Sequence, residues 1–349
     1  MSSPLATEFE RVSLPLEHAF TIARGTQETA ENVVVRIEDG EHTGVGAAAP
    51  SGHYGETPAT VEAVLPDLLA EVEAVGDPLA FDAVDARLDR VVNDNPAAKA
   101  AVRIALHDLA AKRLDVPLYR LLGLDPARTV TSSFTIGLDD TPTMREKTRE
   151  AVEAGYPVLK TKLGTDRDAE IVRAVREEAP DARIRVDANE AWSPREAVEM
   201  CEVLADHDVE FCEQPVPAEH PEGLRYVYER APLPIAADES CVTLEDVPRI
   251  ADACDIANLK LMKCGGPRQA VEMVHAARAH GLDVMLGCMV ETNAAIAAAC
   301  HLAPLLDYAD LDGSLLLAED PYDGVPLPAG EVDLSDVDRP GTGARPTGR

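Results

Sequence analysis

Basic residues are scarce in this chain, and lysine is scarcer than arginine. Among 349 residues, 32 are Lys or Arg and only seven of these are Lys, whereas 63 are Asp or Glu, so the formal net charge is −31. Such a surface repels phosphate backbones and anionic lipid headgroups, and we expect no nucleic-acid partner and no membrane. The pattern is typical of a halophilic protein whose self-repulsion is screened by salt; an ordinary acidic cytosolic protein is the alternative.

Paired cysteines, long apolar runs and nucleotide-binding glycine motifs are also missing. The seven cysteines form no CxxC pair and no zinc-like spacing with His, which predicts reduced thiols in the cytoplasm. No apolar run approaches the roughly 18 residues of a transmembrane helix. Met1–Glu10 carries neither the basic nor the apolar region of a signal peptide, and no strand is followed by a GxGxxG or phosphate-loop motif.

The first part of the chain is predicted to be an α+β domain, residues 1–128. Strand patterns occur at Glu8–Leu16, Asn32–Glu38 and Thr43–Ala49, and helical periodicity occurs at Pro58–Val75, Phe81–Val92 and Pro96–Leu114. Between these elements, Ile22–Glu31 and Ala49–Glu56 are predicted to be long loops that cover a site.

Residues 129–318 alternate short strands with amphipathic helices, which predicts a (β/α) barrel; a doubly wound open sheet is the alternative. The predicted strands are Thr131–Ile136, Val158–Leu163, Arg183–Ala188, Val209–Gln214, Ile235–Asp238, Ile256–Leu261, Val284–Met289 and Ala309–Asp312. Residues 319–349 are rich in Pro, Gly and Asp. We expect them to pack back on the first domain, with Arg339–Arg349 as a frayed tail.

Charged residues recur at the ends of five successive predicted strands, 25, 26, 25 and 22 residues apart: Lys162, Asp187, Glu213, Asp238 and Lys260. Because the carboxyl ends of barrel strands meet at one mouth, we expect these residues to lie together, although charged residues also border ordinary loops. The three carboxylates are hard oxygen ligands that suit one Mg²⁺ per subunit. Helix caps or loop aspartates are the alternative for each residue taken alone.

The lysines of these motifs predict proton transfer. Lys160 and Lys162, at i and i+2 of one strand, point inward together, and Lys260 enters from the other side of the barrel. One lysine can remove the proton next to a metal-bound carboxylate while the other protonates the opposite face, through an ene-diolate stabilised by Mg²⁺. We expect the cation and partial burial to lower the lysine pKa values.

Five motifs together resemble one family, the muconate-lactonizing-enzyme subgroup of the enolase superfamily, and within it the dipeptide epimerases, which include L-Ala-D/L-Glu epimerases. The motifs are Lys160-Thr161-Lys162, Val186–Asn189, Glu213–Pro215, Ala237–Ser240 and Lys260–Gly266. The resemblance covers nearly the whole chain. It implies a modified TIM barrel, (β/α)₇β, with an N-terminal α+β capping domain.

The resemblance also implies the roles of individual residues. Asp187, Glu213 and Asp238 would bind Mg²⁺, with Lys162 and Lys260 as the acid/base pair. Lys160 would support Lys162 and contact the substrate carboxylate. Three further residues would lie behind these groups: Asn189, Glu239 and Lys263.

The last predicted barrel strand favours an epimerase within this subgroup. Asp310 and Asp312 resemble the Asp-x-Asp signature with which dipeptide epimerases bind the substrate α-ammonium group; two surface aspartates are the alternative. Cys288 and Met289 lie in a segment that resembles the substrate loop of these enzymes. An o-succinylbenzoate synthase or muconate cycloisomerase, an N-acylamino-acid racemase and a non-catalytic binding protein remain alternatives.

The identity of the dipeptide depends on Arg24. In L-Ala-D/L-Glu epimerases an Arg of the equivalent loop holds the glutamate side chain, so an Arg24 that faces the site favours an acidic second residue. An Arg24 that faces solvent leaves a hydrophobic dipeptide equally open. His53 and Tyr54 are candidates for contact with the first residue or are surface residues, and the oligomeric state is open, with a homo-oligomer as one alternative.

Overall fold

The computed structural model describes residues 4–348 of the chain. Residues 1–3 and 349, which belong to the predicted terminal segments, lie outside the described residues. Within 4–348, no helix combines the length and the apolar character needed to cross a membrane. The seven cysteines are free thiols.

The N-terminal part of the chain is an antiparallel three-stranded sheet, in the order β1-β2-β3, packed against helices. The predicted helices are confirmed to within one residue at their ends. The elements are β1 (Ala6–Ile22), β2 (Gly25–Glu38), β3 (Thr43–Ala48), α1 (Pro58–Val75), α2 (Phe81–Val91), α3 (Pro96–Arg113) and α4 (Leu118–Leu121). We call this part the capping domain.

Helix α3 is buried along most of its length because it packs on β3. Two glycines of β3 permit the close approach. A Cβ atom at Gly46 would lie 2.2 Å from the Ala101 carbonyl oxygen, and one at Gly44 would lie 2.1 Å from the Ala105 carbonyl oxygen. Any larger residue at either position would push the helix away from the sheet.

The predicted loop at Ile22–Glu31 is instead the end of a β-hairpin. Strand β1 continues to Ile22, β2 begins at Gly25, and only Ala23 and Arg24 form the turn between them. The prediction was wrong because residues 23–29 are exposed on both faces of the hairpin, so they lack the alternation of apolar and polar residues that marks a half-buried strand.

The second part of the chain is a parallel eight-stranded barrel, and the predicted modified TIM barrel is confirmed. The strands follow one another in sequence order from β5 to β12, without the reversal of a doubly wound sheet, and Ser133 N–H closes the barrel by donating to the Ala309 carbonyl at 3.0 Å. The elements are β4 (Val130–Thr131), β5 (Phe134–Ile136), α5 (Thr141–Glu153), β6 (Val158–Lys162), α6 (Asp168–Glu178), β7 (Arg183–Asp187), α7 (Pro194–Asp206), β8 (Val209–Glu213), α8 (Pro221–Tyr228), β9 (Ile235–Ala237), α9 (Val247–Ile250), β10 (Ile256–Lys260), α10 (Leu261–Cys264), α11 (Pro267–Ala279), β11 (Asp283–Gly287), α12 (Asn293–Cys300) and β12 (Tyr308–Asp310).

The C-terminal segment returns to both parts of the molecule and ends in three short strands. These are β13 (Tyr322–Asp323), β14 (Glu331–Val332), which pairs with β4, and β15 (Arg345–Pro346), which pairs with β13. The segment expected to be a frayed tail is therefore partly packed. Thr342 is fully buried, and its N–H and hydroxyl donate to Asp108 Oδ1 of α3 at 2.7 and 3.1 Å.

Candidate active site

The parallel register of β6, β7 and β8 places one charged residue of each strand side by side at the carboxyl end of the barrel. Lys162 is paired with Asp187, and Asp187 is paired with Glu213. Asp238 directly follows β9, the next strand. The residues that recur along the sequence thus become neighbours because parallel pairing brings the carboxyl ends of successive strands together.

The same register continues on the far side of the mouth. Lys260, the last residue of β10, is paired with Gly287 of β11, and Gly287 is paired with Asp310 of β12. Gly287 leaves room here, because a Cβ atom at this position would lie 3.1 Å from Lys260 Cε. The helix α9 that precedes β10 has only four residues, which accounts for the shorter interval between Asp238 and Lys260.

Asp187, Glu213 and Asp238 form a compact buried cluster with the chemistry of a divalent metal site. Each offers a carboxylate oxygen, and these oxygens lie within 4.8 Å of one another. Burial and the nearby Asp187 carboxylate raise the pKa of Glu213 to about 8. Glu213 Oε2 is buried, and its near neighbour is the Lys160 ammonium group, 2.7 Å away. A dication would offset the repulsion among the three carboxylates, so the residues fit Mg²⁺.

Each predicted acid/base lysine contacts one of these carboxylates. Lys162 Nζ donates to Asp187 Oδ2 at 2.6 Å, and Lys260 Nζ donates to Asp238 Oδ2 at 2.8 Å. Lys160 Nζ lies deeper, 2.7 Å from Glu213 Oε2 and 3.3 Å from Asp187 Oδ2. All three side chains line the same cavity.

The expected lowering of the lysine pKa values is opposed by these contacts. Burial by itself would lower the pKa of Lys260, but its acidic neighbours, Asp238 foremost and then Tyr54 and Glu213, together outweigh burial and raise the pKa well above the ordinary value. For Lys160 burial is likewise outweighed, chiefly by Asp310 and Glu213. The prediction considered the cation and partial burial but overlooked that the clustered carboxylates touch the ammonium groups directly.

Two residues, Lys263 and Asn258, hold the carboxylates from behind, and only Lys263 was predicted from the sequence. Lys263 Nζ donates to Asp238 Oδ1 at 2.6 Å and to the Asn258 carbonyl at 2.9 Å. Asn258 Nδ2 donates to Glu213 Oε1 at 2.8 Å. Asn258 precedes Lys260 by two residues on the same strand, so the spacing that paired Lys160 with Lys162 would also have identified Asn258.

Asn189 and Glu239 lie just beyond the three clustered carboxylates. Asn189 N–H and Nδ2 donate to the two oxygens of Asp187 at 2.8 and 3.2 Å. Burial and the neighbouring Asp238 raise the pKa of Glu239 to about 7. Glu239 Oε1 lies 2.7 Å from an Arg24 guanidinium nitrogen, so this carboxylate connects the metal-ligand cluster to the capping domain.

Arg24 lines the cavity from the tip of the β1–β2 hairpin. Its Nη1 atom lies 3.2 Å from the Asn189 carbonyl oxygen and 3.1 Å from Glu190 Oε2, in addition to its contact with Glu239. Glu190 was not predicted; it also lies 3.3 Å from His53 Nε2. Because the guanidinium supplies the positive charge among these groups, we read the second acidic cluster, formed by His53, Glu190 and Glu239, as an ion-pair network.

Asp310 and Asp312 are 6% and 4% exposed and line the cavity, which excludes the surface alternative. Asp310 accepts hydrogen bonds from Lys160 Nζ at 2.7 Å and Ser133 Oγ at 2.6 Å, whereas Asp312 Oδ2 accepts one from Thr135 N–H at 2.7 Å. Burial and the adjacent Asp310 raise the pKa of Asp312 to about 7. A cationic group beside Asp312 would relieve this repulsion.

The cavity enclosed by these residues has a volume of about 690 Å³. Cys288 and Met289 form part of the cavity wall beside β12, and His53 and Tyr54 line the cavity from the loop at Ala49–Glu56. A volume of this size accommodates a small peptide. The structure therefore brings the predicted site residues to one mouth. Of the three residues predicted to lie behind the acid/base and metal-binding groups, Asn189 lines the cavity, whereas Glu239 and Lys263 do not.

Two family profiles together cover most of the chain. The profile described as Mandelate racemase / muconate lactonizing enzyme, N-terminal domain, matches residues 6–123, and the profile described as Enolase C-terminal domain-like matches residues 143–348. Among curated relatives, the L-Ala-D/L-Glu epimerase of Bacteroides thetaiotaomicron is 40% identical over 332 residues, which span 95% of this chain and 85% of that protein.

Solved structures of similar fold contain bound substrates. The dipeptide epimerase of Enterococcus faecalis, complexed with Mg and L-Leu-L-Tyr, superposes with a TM-score of 0.90 at 34% identity and covers 99% of each chain. A substrate-liganded complex of the L-Ala-D/L-Glu epimerase from Bacillus subtilis has a TM-score of 0.92 at 30% identity and covers 98% of each chain.

Proposed function

The chain belongs to the dipeptide epimerases of the enolase superfamily, and from that premise we propose that it is a Mg²⁺-dependent isomerase that inverts the α-carbon of the second residue of a dipeptide. The observation that carries the proposal is the arrangement of the cavity. Three clustered carboxylates lie between lysines of β6 and β10, and a buried aspartate pair lies at the carboxyl end of β12. This arrangement matches the two charged ends of a dipeptide.

The charges of the site orient the substrate. Asp187, Glu213 and Asp238 would hold Mg²⁺, whose positive charge would stabilise the negative charge that develops on the substrate carboxylate. The α-ammonium group would lie at Asp312, because both oxygens of Asp310 already accept hydrogen bonds from Lys160 and Ser133. The peptide then crosses the mouth, with its second α-carbon between Lys162 and Lys260.

Lys162 and Lys260 perform the proton transfer in this proposal. One lysine, in its neutral form, takes the proton from the α-carbon, and the electron pair of the broken C–H bond delocalises onto the carboxylate. The opposite lysine, protonated, then donates its proton to the other face of the carbon, and the configuration is inverted. The two lysines exchange roles in the reverse direction, so no further reactant is consumed.

The side chain of the second residue of the dipeptide can point in one remaining direction, towards the capping domain. The carboxylate, the peptide nitrogen and the proton take the other three directions from the α-carbon. Arg24 lies on that side, and within residues 4–348 its contacts with carboxylates involve only Nη1. Its Nε and Nη2 atoms support the binding of a side-chain carboxylate, and we therefore propose an acidic second residue.

The proposal is tested by incubating a dipeptide library with the enzyme, Mg²⁺ and molar KCl in D₂O. We expect mass spectrometry to detect a gain of one deuterium in particular dipeptides, led by those with Glu or Asp in the second position. The same incubation with EDTA is the control. Absence of exchange in every dipeptide, with the protein folded and supplied with Mg²⁺, would overturn the proposal and favour a lyase such as o-succinylbenzoate synthase.

The remaining sequence predictions concern the setting of this activity. A cytoplasmic location, a homo-oligomer, adaptation to high salt and the absence of nucleic-acid and membrane partners remain predictions. The domain boundaries at residues 128 and 318 also remain predictions.

A further inference from the structure

One buried asparagine of the capping domain holds a loop of the barrel at two points. Asn32, on β2, is 1% exposed and lines the cavity. Its Nδ2 atom donates to the Val290 carbonyl at 3.2 Å, and its Oδ1 atom accepts from Thr292 N–H at 3.0 Å. The two bonds grip the backbone on both sides of Glu291, so the conformation of this loop depends on a side chain from the other domain.

The loop is held from its other sides as well. Glu291 Oε1 accepts a hydrogen bond from Met289 N–H at 2.7 Å. A Cβ atom at Gly313 would lie 2.1 Å from the Met289 carbonyl oxygen and 3.0 Å from Cys288 Sγ. The segment Cys288–Thr292 is therefore packed directly against the residue that follows Asp312, with no space through which it can shift towards β12.

This position gives the loop a role in substrate recognition. In the proposed binding mode the ammonium group of the dipeptide lies at Asp312. The side chain of the first residue, on the carbon that bears the ammonium group, must then lie beside the wall that Cys288 and Met289 form. The size of the subsite for the first side chain is set by where this wall stands.

We propose that Asn32 is a positioning residue that fixes this wall and thereby determines which first residues the enzyme accepts. The inference rests on the proposed function. Without the Asn32 amide, the Val290 carbonyl and the Thr292 N–H would both lose their partners in a buried place, and the backbone would move to find others. Such movement changes the subsite for the first residue and leaves the metal-ligand carboxylates, which lie on β7 to β9, in place.

The test compares wild type with Asn32→Ala on dipeptides that share their second residue and differ in the first, Gly, Ala or Leu. We expect the ratio of kcat/KM between the best and the worst of these to fall about tenfold, mainly through KM, because displacement of a positioning group costs this much. Mg²⁺ affinity, measured by calorimetric titration, should not change.

Two further variants separate positioning from simple stabilisation. Tyr322→Phe removes another long-range hydrogen bond from the same strand, the 2.6 Å bond that Arg36 donates to the Tyr322 hydroxyl, and leaves both hydrogen bonds of Asn32 in place. We expect it to lower the melting temperature without changing the ranking of first residues. Asn32→Asp keeps an acceptor for Thr292 but loses the donor to Val290, so its ranking should lie between those of wild type and Asn32→Ala.

The results that would overturn the inference are distinct from those that would overturn the function. A wild-type enzyme active on dipeptides, with Asn32 variants that lose activity equally on all first residues or fail to fold, would make Asn32 a structural residue only. A wild-type enzyme inactive on every dipeptide would overturn the proposed function, and this inference with it.

Discussion

The two halves of the barrel mouth are built in different ways. The half from β6 to β10 carries the carboxylate cluster and the lysines, and its residues are aligned by the register of neighbouring parallel strands. The half formed by β11, β12 and the capping domain carries Asp312, the Cys288–Thr292 loop and Arg24, which are held by contacts between distant parts of the chain. We call these the metal half and the recognition half.

The difference separates chemistry from selectivity. In the proposed binding mode, a side chain of the metal half acts on the carboxylate and the α-proton, which all dipeptides share. A side chain of the recognition half acts, in the same binding mode, on the ammonium group or on a variable side chain. Substitutions in the metal half should therefore affect every substrate alike, whereas substitutions in the recognition half should change the ranking of substrates.

The largest effect is expected from the lysines of the metal half. Lys162→Ala and Lys260→Ala should each lower epimerization of every dipeptide by about 10³-fold or more, because each removes one of the two proton carriers. One of the two variants should still exchange the α-proton of a single stereoisomer in D₂O, followed by NMR. Lys147→Ala, which removes a half-buried lysine paired with Asp139 outside the site, is the control. Full two-way activity in both active-site variants would contradict the two-base mechanism.

The next largest effect should come from Asp312 in the recognition half. Asp312→Asn should lower kcat/KM by about 10²-fold for free dipeptides, since it removes the charge that binds the ammonium group, and much less for an N-acetylated dipeptide. Because the pKa of Asp312 is about 7, a falling pH adds a proton to its carboxylate and weakens ammonium binding. KM should therefore rise as pH falls below about 7 in wild type.

A pH profile of KM checks the second part of this prediction. Asp312→Asn should lose the rise in KM at low pH, because the amide does not titrate in this range. An unchanged profile in the variant would assign the titration to another group. If Asp312→Asn lowered kcat/KM equally for free and acetylated dipeptides, Asp312 would not bind the ammonium group and would act on all substrates alike, as the metal half does.

A smaller and more selective effect is expected from Arg24. Arg24→Met should lower kcat/KM for L-Ala-L-Glu by about 30-fold, since a charge-assisted hydrogen bond is lost, and change that for L-Ala-L-Leu little. Arg11→Met, which removes the same charge at the cavity rim from a pair with Glu31, is the matched control. Equal activity of wild type on both dipeptides would show that Arg24 does not select the second residue.

The smallest effect is expected from Asn258, which contacts a metal-ligand carboxylate and lies in the metal half. Asn258→Ala should weaken Mg²⁺ binding by about tenfold, because Glu213 loses the amide that orients it. The loss of activity at low Mg²⁺ should be the same for all dipeptides and should be restored by adding Mg²⁺, as measured by initial rates against Mg²⁺ concentration. A change in substrate ranking in Asn258→Ala would contradict the separation of chemistry in the metal half from selectivity in the recognition half.

The sequence predicted the metal half well because strand spacing and strand register are local properties. Lys162, Asp187 and Glu213 recur at the length of one βα unit, and parallel pairing converts that recurrence into proximity. The recognition half was predicted mainly through the family resemblance. The hydrogen bonds of Asn32 with Val290 and Thr292 join positions some 260 residues apart, and no spacing rule connects these positions.

The hairpin that carries Arg24 illustrates the same limit. The end of the hairpin, residues 23–29, is exposed, so burial leaves no periodic pattern in its sequence, and the segment resembles a loop. Glu190 was missed for a related reason. Its carboxylate acquires its role only when the tip of the hairpin arrives beside it, and the sequence near Glu190 carries no trace of that partner.

The contact between Thr342 and Asp108 has a consequence for the order in which the two domains fold during synthesis. Asp108 is fully buried in the capping domain, and its Oδ1 atom receives hydrogen bonds from a residue near the end of the chain. During synthesis the barrel strands leave the ribosome before Thr342 does. The barrel can therefore close before the capping domain has made its hydrogen bonds with Thr342. Nascent chains stalled ahead of Thr342 should therefore carry a folded barrel beneath a loosened cap.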